Sequence, residues 1–195
     1  MRLCFIGDSF VNGTGDATGL GWVGRACAAA RRRGHDVTCY NLGIRRDTSS
    51  DVARRWYEES ARRLPAEFDG RLVFSFGVND CTRENGAPRV AQDVTLANAR
   101  DILGSAKARH PTLMLGPPPV LLGDADERVA ALSRALAPLC AELAIPYFDL
   151  HTPLAAIGLW RLELASGDGA HPGAAGYALI AELIEGWEAW RQWLP

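Results

Sequence analysis

Short apolar runs and longer amphipathic segments alternate along most of the chain. The short runs are rich in β-branched and aromatic side chains and are too short for helices, as in buried strands. They predict strands at residues 3–6, 37–42, 71–76, 112–115 and 146–149. The longer segments predict helices at residues 22–33, 89–108, 126–143 and 173–193, a helix that ends near residue 64, and a partly helical stretch at 154–164.

This alternation predicts an α/β fold with a parallel sheet and helices on both of its faces. Right-handed crossovers place the loops that follow all five strands at one edge of the sheet, where open α/β sheets bind ligands. No linker, repeat or low-complexity segment interrupts the pattern. We therefore expect one domain over residues 1–195, large enough to bury roughly 70% of the surface of its unfolded chain.

The composition is that of an ordinary globular protein, with 48% apolar and 23% charged residues. The formal net charge of −2 gives no electrostatic reason to expect nucleic acid or an anionic membrane as a partner. No segment approaches the ~20 apolar residues of a membrane span. The first residues also lack the pattern of a signal peptide, because the charged Asp8 precedes any long apolar run.

The five cysteines are irregularly spaced, at Cys4, Cys27, Cys39, Cys81 and Cys140. No pair forms a C-x-x-C motif, so neither a zinc site nor a thioredoxin-type redox motif is indicated. We expect reduced thiols, which are typical of the cytoplasm. The sequence therefore predicts a cytoplasmic protein without a metal site.

Three residues supply the groups that acyl transfer needs. Ser9 follows the first strand and offers a hydroxyl nucleophile. His171, in the loop before the last helix, offers an imidazole that exchanges a proton near neutrality. Asp168 lies three residues earlier, close enough to orient that imidazole by binding its second ring nitrogen. Each residue alone is also common in turns and caps, and only the combination of the three indicates acyl transfer.

Donors for a tetrahedral oxyanion are predicted at the same edge of the sheet. Gly43 follows the second strand and Asn79 follows the third. The backbone N–H groups of Ser9 and Gly43 and the side-chain amide of Asn79 are donor types that oxyanion holes use. We expect these three residues to form the oxyanion hole. Asp8 is expected to be a structural hydrogen-bond partner and not a second catalytic carboxylate.

Four segments resemble, in order and spacing, the sequence blocks of the GDSL hydrolases, also called the SGNH hydrolase superfamily. They are Gly7-Asp8-Ser9-Phe10, Asn41-Leu42-Gly43-Ile44, Gly77-Val78-Asn79-Asp80 and Asp168-Gly169-Ala170-His171-Pro172. The resemblance implies a three-layer α/β/α sandwich around a five-stranded, flavodoxin-like parallel sheet. It also implies that Ser9, Asp168 and His171 form a catalytic triad. Phe10 stands where leucine is more usual, which bears on substrate preference and not on the chemistry.

The resemblance further implies a lipase-like esterase that cleaves a small carboxylic ester or thioester through an acyl-enzyme, without a cofactor. The family includes carboxylesterases, thioesterases, lysophospholipases and carbohydrate deacetylases, and this sequence does not select among them. Because no lid-like apolar insertion is evident, we expect short acyl chains. The oligomeric state is open.

Two other functions are weighed against ester hydrolysis. Gly19-Leu20-Gly21-Trp22-Val23-Gly24 matches the G-x-G-x-x-G pattern of nucleotide-binding folds, but it begins twelve residues after Gly7 instead of directly after the strand. A non-catalytic binding module on the same fold is the second alternative. The α/β-hydrolase fold is rejected, because no G-x-S-x-G elbow surrounds Ser9.

Overall fold

The computed structural model describes residues 1–194. Its strands are β1 (Arg2–Gly7), β2 (Thr38–Gly43), β3 (Gly70–Ser75), β4 (Arg83–Glu84), β5 (Ala87–Pro88), β6 (Thr112–Leu115) and β7 (Tyr147–Phe148). Its helices are α1 (Ser9–Asn12), α2 (Gly21–Arg32), α3 (Ser49–Ala61), α4 (Val78–Cys81), α5 (Gln92–Lys107), α6 (Ala125–Glu142), α7 (His151–Ala155), α8 (Gly158–Ala165), α9 (Ala174–Gly186) and α10 (Glu188–Trp193).

Five strands form one parallel sheet in the order β2-β1-β3-β6-β7. Gly7 pairs with both Gly43 and Ser75, so the three strands β2, β1 and β3 end at the same level. Leu3 to Ile6 of β1 are completely buried, which requires cover on both faces of the sheet. Helices α2 and α9 pack together, as do α3 and α5. The predicted three-layer α/β fold with five parallel strands is confirmed.

Two regions differ from the predicted elements. The polar loop expected near residues 81–88 contains the antiparallel hairpin β4–β5. The helix expected over 173–193 is two helices, because Trp187 adopts an extended backbone conformation between α9 and α10. Single-sequence patterns place element boundaries poorly, and both breaks fall within otherwise continuous patterns.

Cys27 in α2 and Cys39 in β2 form a disulfide, with their Cα atoms 6.6 Å apart. Cys4, Cys81 and Cys140 are free and buried. The expectation of five reduced cysteines is therefore wrong for this pair. Since disulfides persist mainly in oxidising compartments, the cysteines no longer support the prediction of a cytoplasmic location.

Reducing this disulfide should lower the free energy of unfolding by about 3 kcal/mol, the chain-entropy value for a loop of ~15 residues. The two cysteines are 12 positions apart in the sequence, so the closed loop is of similar size. Urea unfolding with and without a phosphine reductant measures the difference. Cys27→Ser is the control and should not respond to the reductant. Equal stability of the wild type under both conditions would contradict the prediction.

Within residues 1–194, none of the helices combines the length and apolar character needed to cross a lipid bilayer.

Candidate active site

Ser9 is positioned by the sharp turn between β1 and α1. A Cβ atom at Gly7 would overlap the carbonyl group of Ser75, so only glycine permits this close approach to β3. Asp8 then caps α1, its Oδ1 accepting the backbone N–H of Phe10 at 2.9 Å. This is the structural role predicted for Asp8. The Ser9 side chain consequently points from the first turn of α1 at the carboxyl end of the sheet.

His171 contacts Ser9 although 162 positions separate the two residues. Its Nε2 lies 2.8 Å from the Ser9 hydroxyl oxygen, and its Nδ1 lies 2.7 Å from Oδ2 of Asp168. The ring of Phe10 packs against the imidazole, with 5.4 Å between the ring centroids. The structure thus brings the predicted nucleophile, base and orienting carboxylate into one hydrogen-bonded chain.

Asp168 both caps its turn and binds the imidazole. Its Oδ1 accepts the backbone N–H groups of Ala170 at 2.9 Å and His171 at 2.8 Å, while Oδ2 faces the ring. Partial burial raises the pKa of this carboxyl group, but the hydrogen bonds from His171 and Ala170 outweigh it and hold the pKa at about 2. Asp168 is therefore ionised throughout the neutral range. Asp168 therefore caps the turn and orients the imidazole at the same time.

Two hydrogen bonds hold the loop that carries Asp168 and His171 and the helix α9 that follows it. The backbone N–H of Leu121, which follows the proline-rich segment 117–119, donates to the Gly169 carbonyl at 2.7 Å. The hydroxyl of Tyr177 in α9 donates to the Thr14 carbonyl at 2.7 Å. The first bond connects this loop to the segment after β6, and the second connects α9 to the segment after α1. They limit the movement of the imidazole relative to Ser9.

The predicted oxyanion donors differ in availability. Among residues 1–194, no acceptor is paired with the backbone N–H of Ser9. The Gly43 N–H instead donates to Oδ1 of Asn41 at 3.0 Å, and the Asn41 amide nitrogen donates to the Val11 carbonyl at 2.7 Å. The expectation that Gly43 offers a free donor is therefore not met in this conformation. No sequence pattern indicates this pairing, because it depends on the rotamer of Asn41.

Asn79 in α4 directs its amide nitrogen toward Asp8, the residue before Ser9. Its Nδ2 donates to the Asp47 carbonyl at 3.0 Å and lies 3.5 Å from Oδ2 of Asp8. The second distance is too long for a strong hydrogen bond. One N–H of the amide therefore anchors the side chain, and the other is weakly engaged.

A buried network fixes α4, and sequence reasoning missed its centre, Asp80. Its carboxylate accepts the Ser49 N–H and the Thr95 hydroxyl, each at 2.9 Å, and the Ser49 hydroxyl as well. Asp80 is only 1% exposed. Because Ser49 begins α3 and Thr95 lies in α5, the network holds Asn79 against two helices. A turn-forming Asn-Asp pair was the only signal in the sequence.

Asp8 is a buried carboxyl group surrounded by other acids. Burial raises its pKa to about 7, against the effect of the Phe10 N–H, which lowers it. The nearby carboxylates of Asp80 and Asp47 raise it further. Its protonation state therefore changes near neutral pH, beside the Asn79 amide.

Wild-type protein should lose stability relative to an Asp8→Asn variant as the pH rises from about 4 to about 7. Over this window the native state holds a proton that the unfolded chain releases, so raising the pH favours unfolding. The relative loss should be a few kcal/mol, at about 1.4 kcal/mol for each unit of pKa shift. Urea unfolding of both proteins at several pH values measures it. Parallel curves would show that Asp8 has an ordinary pKa.

The start of α2, which carries the glycine pattern of nucleotide-binding folds, is already occupied by a carboxylate. Asp16 Oδ2 accepts the Gly21 N–H at 2.9 Å and pairs with the Arg25 guanidinium. A phosphate at this helix end would meet the negative charge of Asp16. The geometry therefore argues against the nucleotide-binding alternative.

Within residues 1–194, no group of three His, Cys, Asp or Glu side chains is placed to hold a metal ion.

Comparison with known proteins identifies similar folds. The chain is similar to a lipase/acylhydrolase from Enterococcus faecalis, with a TM-score of 0.80, 22% identity, and 97% of this chain and 96% of that chain covered. It is also similar to an acetylxylan esterase from Geobacillus stearothermophilus, with a TM-score of 0.77, 19% identity, and 96% of this chain and 95% of that chain covered. A lipolytic G-D-S-L family protein from Veillonella parvula is similar with a TM-score of 0.74, 18% identity, and 96% of this chain and 98% of that chain covered.

At these identities the similarities show the fold alone. No curated protein matches the sequence. Residues 5–179, most of the chain, match the GDSL-like lipase/acylhydrolase family, and the chain therefore belongs to that family.

Proposed function

We propose that this member of an ester-hydrolysing family cleaves small carboxylic esters or thioesters through a serine acyl-enzyme. One observation carries the proposal: the hydrogen-bonded chain from Asp168 through His171 to Ser9, with distances of 2.7 and 2.8 Å. A nucleophile, a base and an orienting carboxylate in this order define the serine hydrolase arrangement on any fold.

In the proposed reaction, the Ser9 oxygen attacks the carbonyl carbon of the ester while His171 Nε2 takes the hydroxyl proton. Asp168 holds the proton on Nδ1 and stabilises the imidazolium that forms. Collapse of the tetrahedral intermediate breaks the bond to the leaving alcohol or thiol, which receives the proton from Nε2. Water, deprotonated by the same nitrogen, then attacks the acyl carbon. The bond to the Ser9 oxygen breaks, the carboxylic acid leaves, and Nε2 returns the proton to Ser9. The residues complete this cycle without a cofactor.

The developing oxyanion is assigned to the Ser9 N–H and the Asn79 amide. The Gly43 N–H would contribute only after the Asn41 side chain releases it. Backbone N–H groups and side-chain amides of this kind stabilise a developing oxyanion.

Asn79→Ala should lower kcat by roughly 10²–10³-fold with little change in KM, as for loss of one oxyanion donor. The Asp80 network is left in place, so the fold should be retained. Steady-state kinetics on p-nitrophenyl acetate measures both parameters. A rise in KM without a fall in kcat would identify Asn79 as a ground-state substrate contact instead.

Hydrolysis of p-nitrophenyl acetate and butyrate by the wild type, beside Ser9→Ala, tests the proposed function. The wild type should turn over both esters and Ser9→Ala neither. Ser105→Ala, the same change at an exposed position of α5, is the matched control and should behave as the wild type. Turnover that survives in Ser9→Ala would place the nucleophile elsewhere. We expect activity to fall from C2–C4 to C10–C12 esters, and a maximum at C10 or C12 would contradict the short-chain assignment.

We also propose that residues 1–195 form one domain and that neither a nucleic acid nor a membrane is a partner. The Cys27–Cys39 disulfide favours an oxidising compartment over the cytoplasm. Counting free thiols in protein isolated under alkylating conditions distinguishes the two locations.

A further inference from the structure

A cavity of about 250 Å³ opens beside the Asn79 side chain. It is lined by Arg46, Asn79, Thr82, Arg83, Glu84 and Arg89. None of these is an aliphatic or aromatic residue, so the cavity does not suit an alkyl chain. Because Asn79 is also the assigned oxyanion donor, a group in the cavity lies close to the reacting carbonyl.

Two of the three arginines of the cavity pair with other groups of the protein. Arg83 donates from Nε and Nη2 to Oδ2 of Asp124, at 3.0 and 2.9 Å, and from Nη1 to the Gly86 carbonyl. The Nε atom of Arg89 lies 3.5 Å from the Glu84 carboxylate. Asp124 also pairs with Arg128, so the three guanidinium groups of the cavity face Glu84 and a shared Asp124, which leaves an excess positive charge.

Arg46 provides that excess. Among residues 1–194, its guanidinium has no hydrogen-bonded acceptor and no carboxylate partner, and the residue is exposed. Its backbone has a φ of 71°, a left-handed conformation that is costly for arginine. Arg89 Nη1 donates to the Arg46 carbonyl at 2.9 Å and supports this conformation. The protein thus holds a strained backbone turn at the residue whose charge is unpaired.

We propose that this cavity binds an anionic group of the substrate, a carboxylate or phosphate a few bonds from the scissile ester, with Arg46 as its main ligand. The inference rests on the proposed function and names its substrate class. A planar guanidinium fork matches carboxylate and phosphate oxygens. The anion sits either on the acyl side or on the alcohol side of the ester.

Matched ester pairs distinguish the two sides. On the acyl side, mono-p-nitrophenyl succinate is compared with the neutral p-nitrophenyl butyrate, and on the alcohol side 3-acetoxybenzoate is compared with phenyl acetate. The readout is the ratio of kcat/KM for the anionic ester to that for its neutral partner, which cancels effects common to both. Arg46→Gln should lower one of the two ratios by about 10-fold, as expected for loss of a charged hydrogen bond. Arg46→Lys keeps the positive charge but not the planar fork, so its ratio should lie between those of the wild type and Arg46→Gln.

Arg62→Gln is the matched control for the loss of one positive charge. Arg62 is exposed and lies at the far end of α3 from Ser49, about 20 Å along the helix at 1.5 Å per residue. Both ratios should be unchanged in this variant. If Arg46→Gln leaves both ratios as they are in the wild type, the anion site is refuted.

Binding to Ser9→Ala protein separates this proposal from the proposed function, because it requires no turnover. The anionic member of one pair should bind about 10-fold more tightly than its neutral partner, and adding Arg46→Gln should remove the difference. If the wild type hydrolyses no ester but this difference holds, the esterase proposal fails and the anion site stands. If esters are hydrolysed and neither pair shows the difference, the anion site is wrong.

Discussion

His171→Ala should lower kcat for p-nitrophenyl acetate by about 10⁴-fold or more, because removing one member of such a triad costs nearly as much as removing all of it. The Ser9 hydroxyl would keep its position in α1 but would lose the one side-chain hydrogen-bond partner that it has among residues 1–194. Residual activity would come from the oxyanion donors and from substrate positioning. Steady-state kinetics at neutral pH measures the loss.

His110→Ala is the control for this variant. His110 contacts the Gly70 carbonyl at the start of β3, at the opposite end of the sheet from Ser9. Its replacement should change kcat by no more than a few-fold. Circular dichroism and the melting temperature establish that His171→Ala is folded. A loss of less than 10-fold in folded His171→Ala would exclude this histidine as the base.

Asp168→Asn should lower kcat by about 10⁴-fold, because it imposes the wrong imidazole tautomer. Oδ1 of Asp168 accepts two backbone N–H groups, so the oxygen of an asparagine would remain on that side. Its NH₂ group would then face Nδ1 of His171 and force the ring proton onto Nε2. A protonated Nε2 cannot accept the proton of Ser9.

Asp168→Asn is more informative than Asp168→Ala, because it changes the imidazole tautomer without removing the side chain that caps the turn. The backbone hydrogen bonds of the turn are preserved, so the position of His171 should be retained. Nitrogen NMR of the imidazole should show the proton on Nδ1 in the wild type and on Nε2 in Asp168→Asn. A variant with the changed tautomer but near-normal kcat would show that the imidazole does not accept the Ser9 proton. Asp101→Asn, at an exposed position of α5, is the matched control.

The fold and the main site residues could be predicted from the sequence for a common physical reason. Strand ends of a parallel sheet meet at one edge, so Ser9 and Asn79 were expected near each other without any tertiary information. His171 joined them through the compact Asp168 turn. Local pattern and sheet topology together therefore specify most of the arrangement.

The remaining features depend on side-chain rotamers or on helix packing, which single-sequence patterns do not encode. Asn41 folds back onto the Gly43 N–H, so a residue predicted as a donor is already paired. Cys27 and Cys39 meet because α2 returns alongside β2, and their spacing alone gives no pairing. No sequence pattern indicates the left-handed backbone of Arg46, which follows Arg45 in a short basic run.

Labelling with a fluorophosphonate tests the central claim, that Ser9 is an activated nucleophile, without knowledge of the natural ester. We predict one adduct per chain, mapped to Ser9 by peptide mass spectrometry, with none in Ser9→Ala and much slower labelling in His171→Ala. Among other nucleophiles, Cys81 is a poor competitor, because burial raises the pKa of its thiol to about 12. An unlabelled folded protein, or an adduct on any residue other than Ser9, would contradict the account.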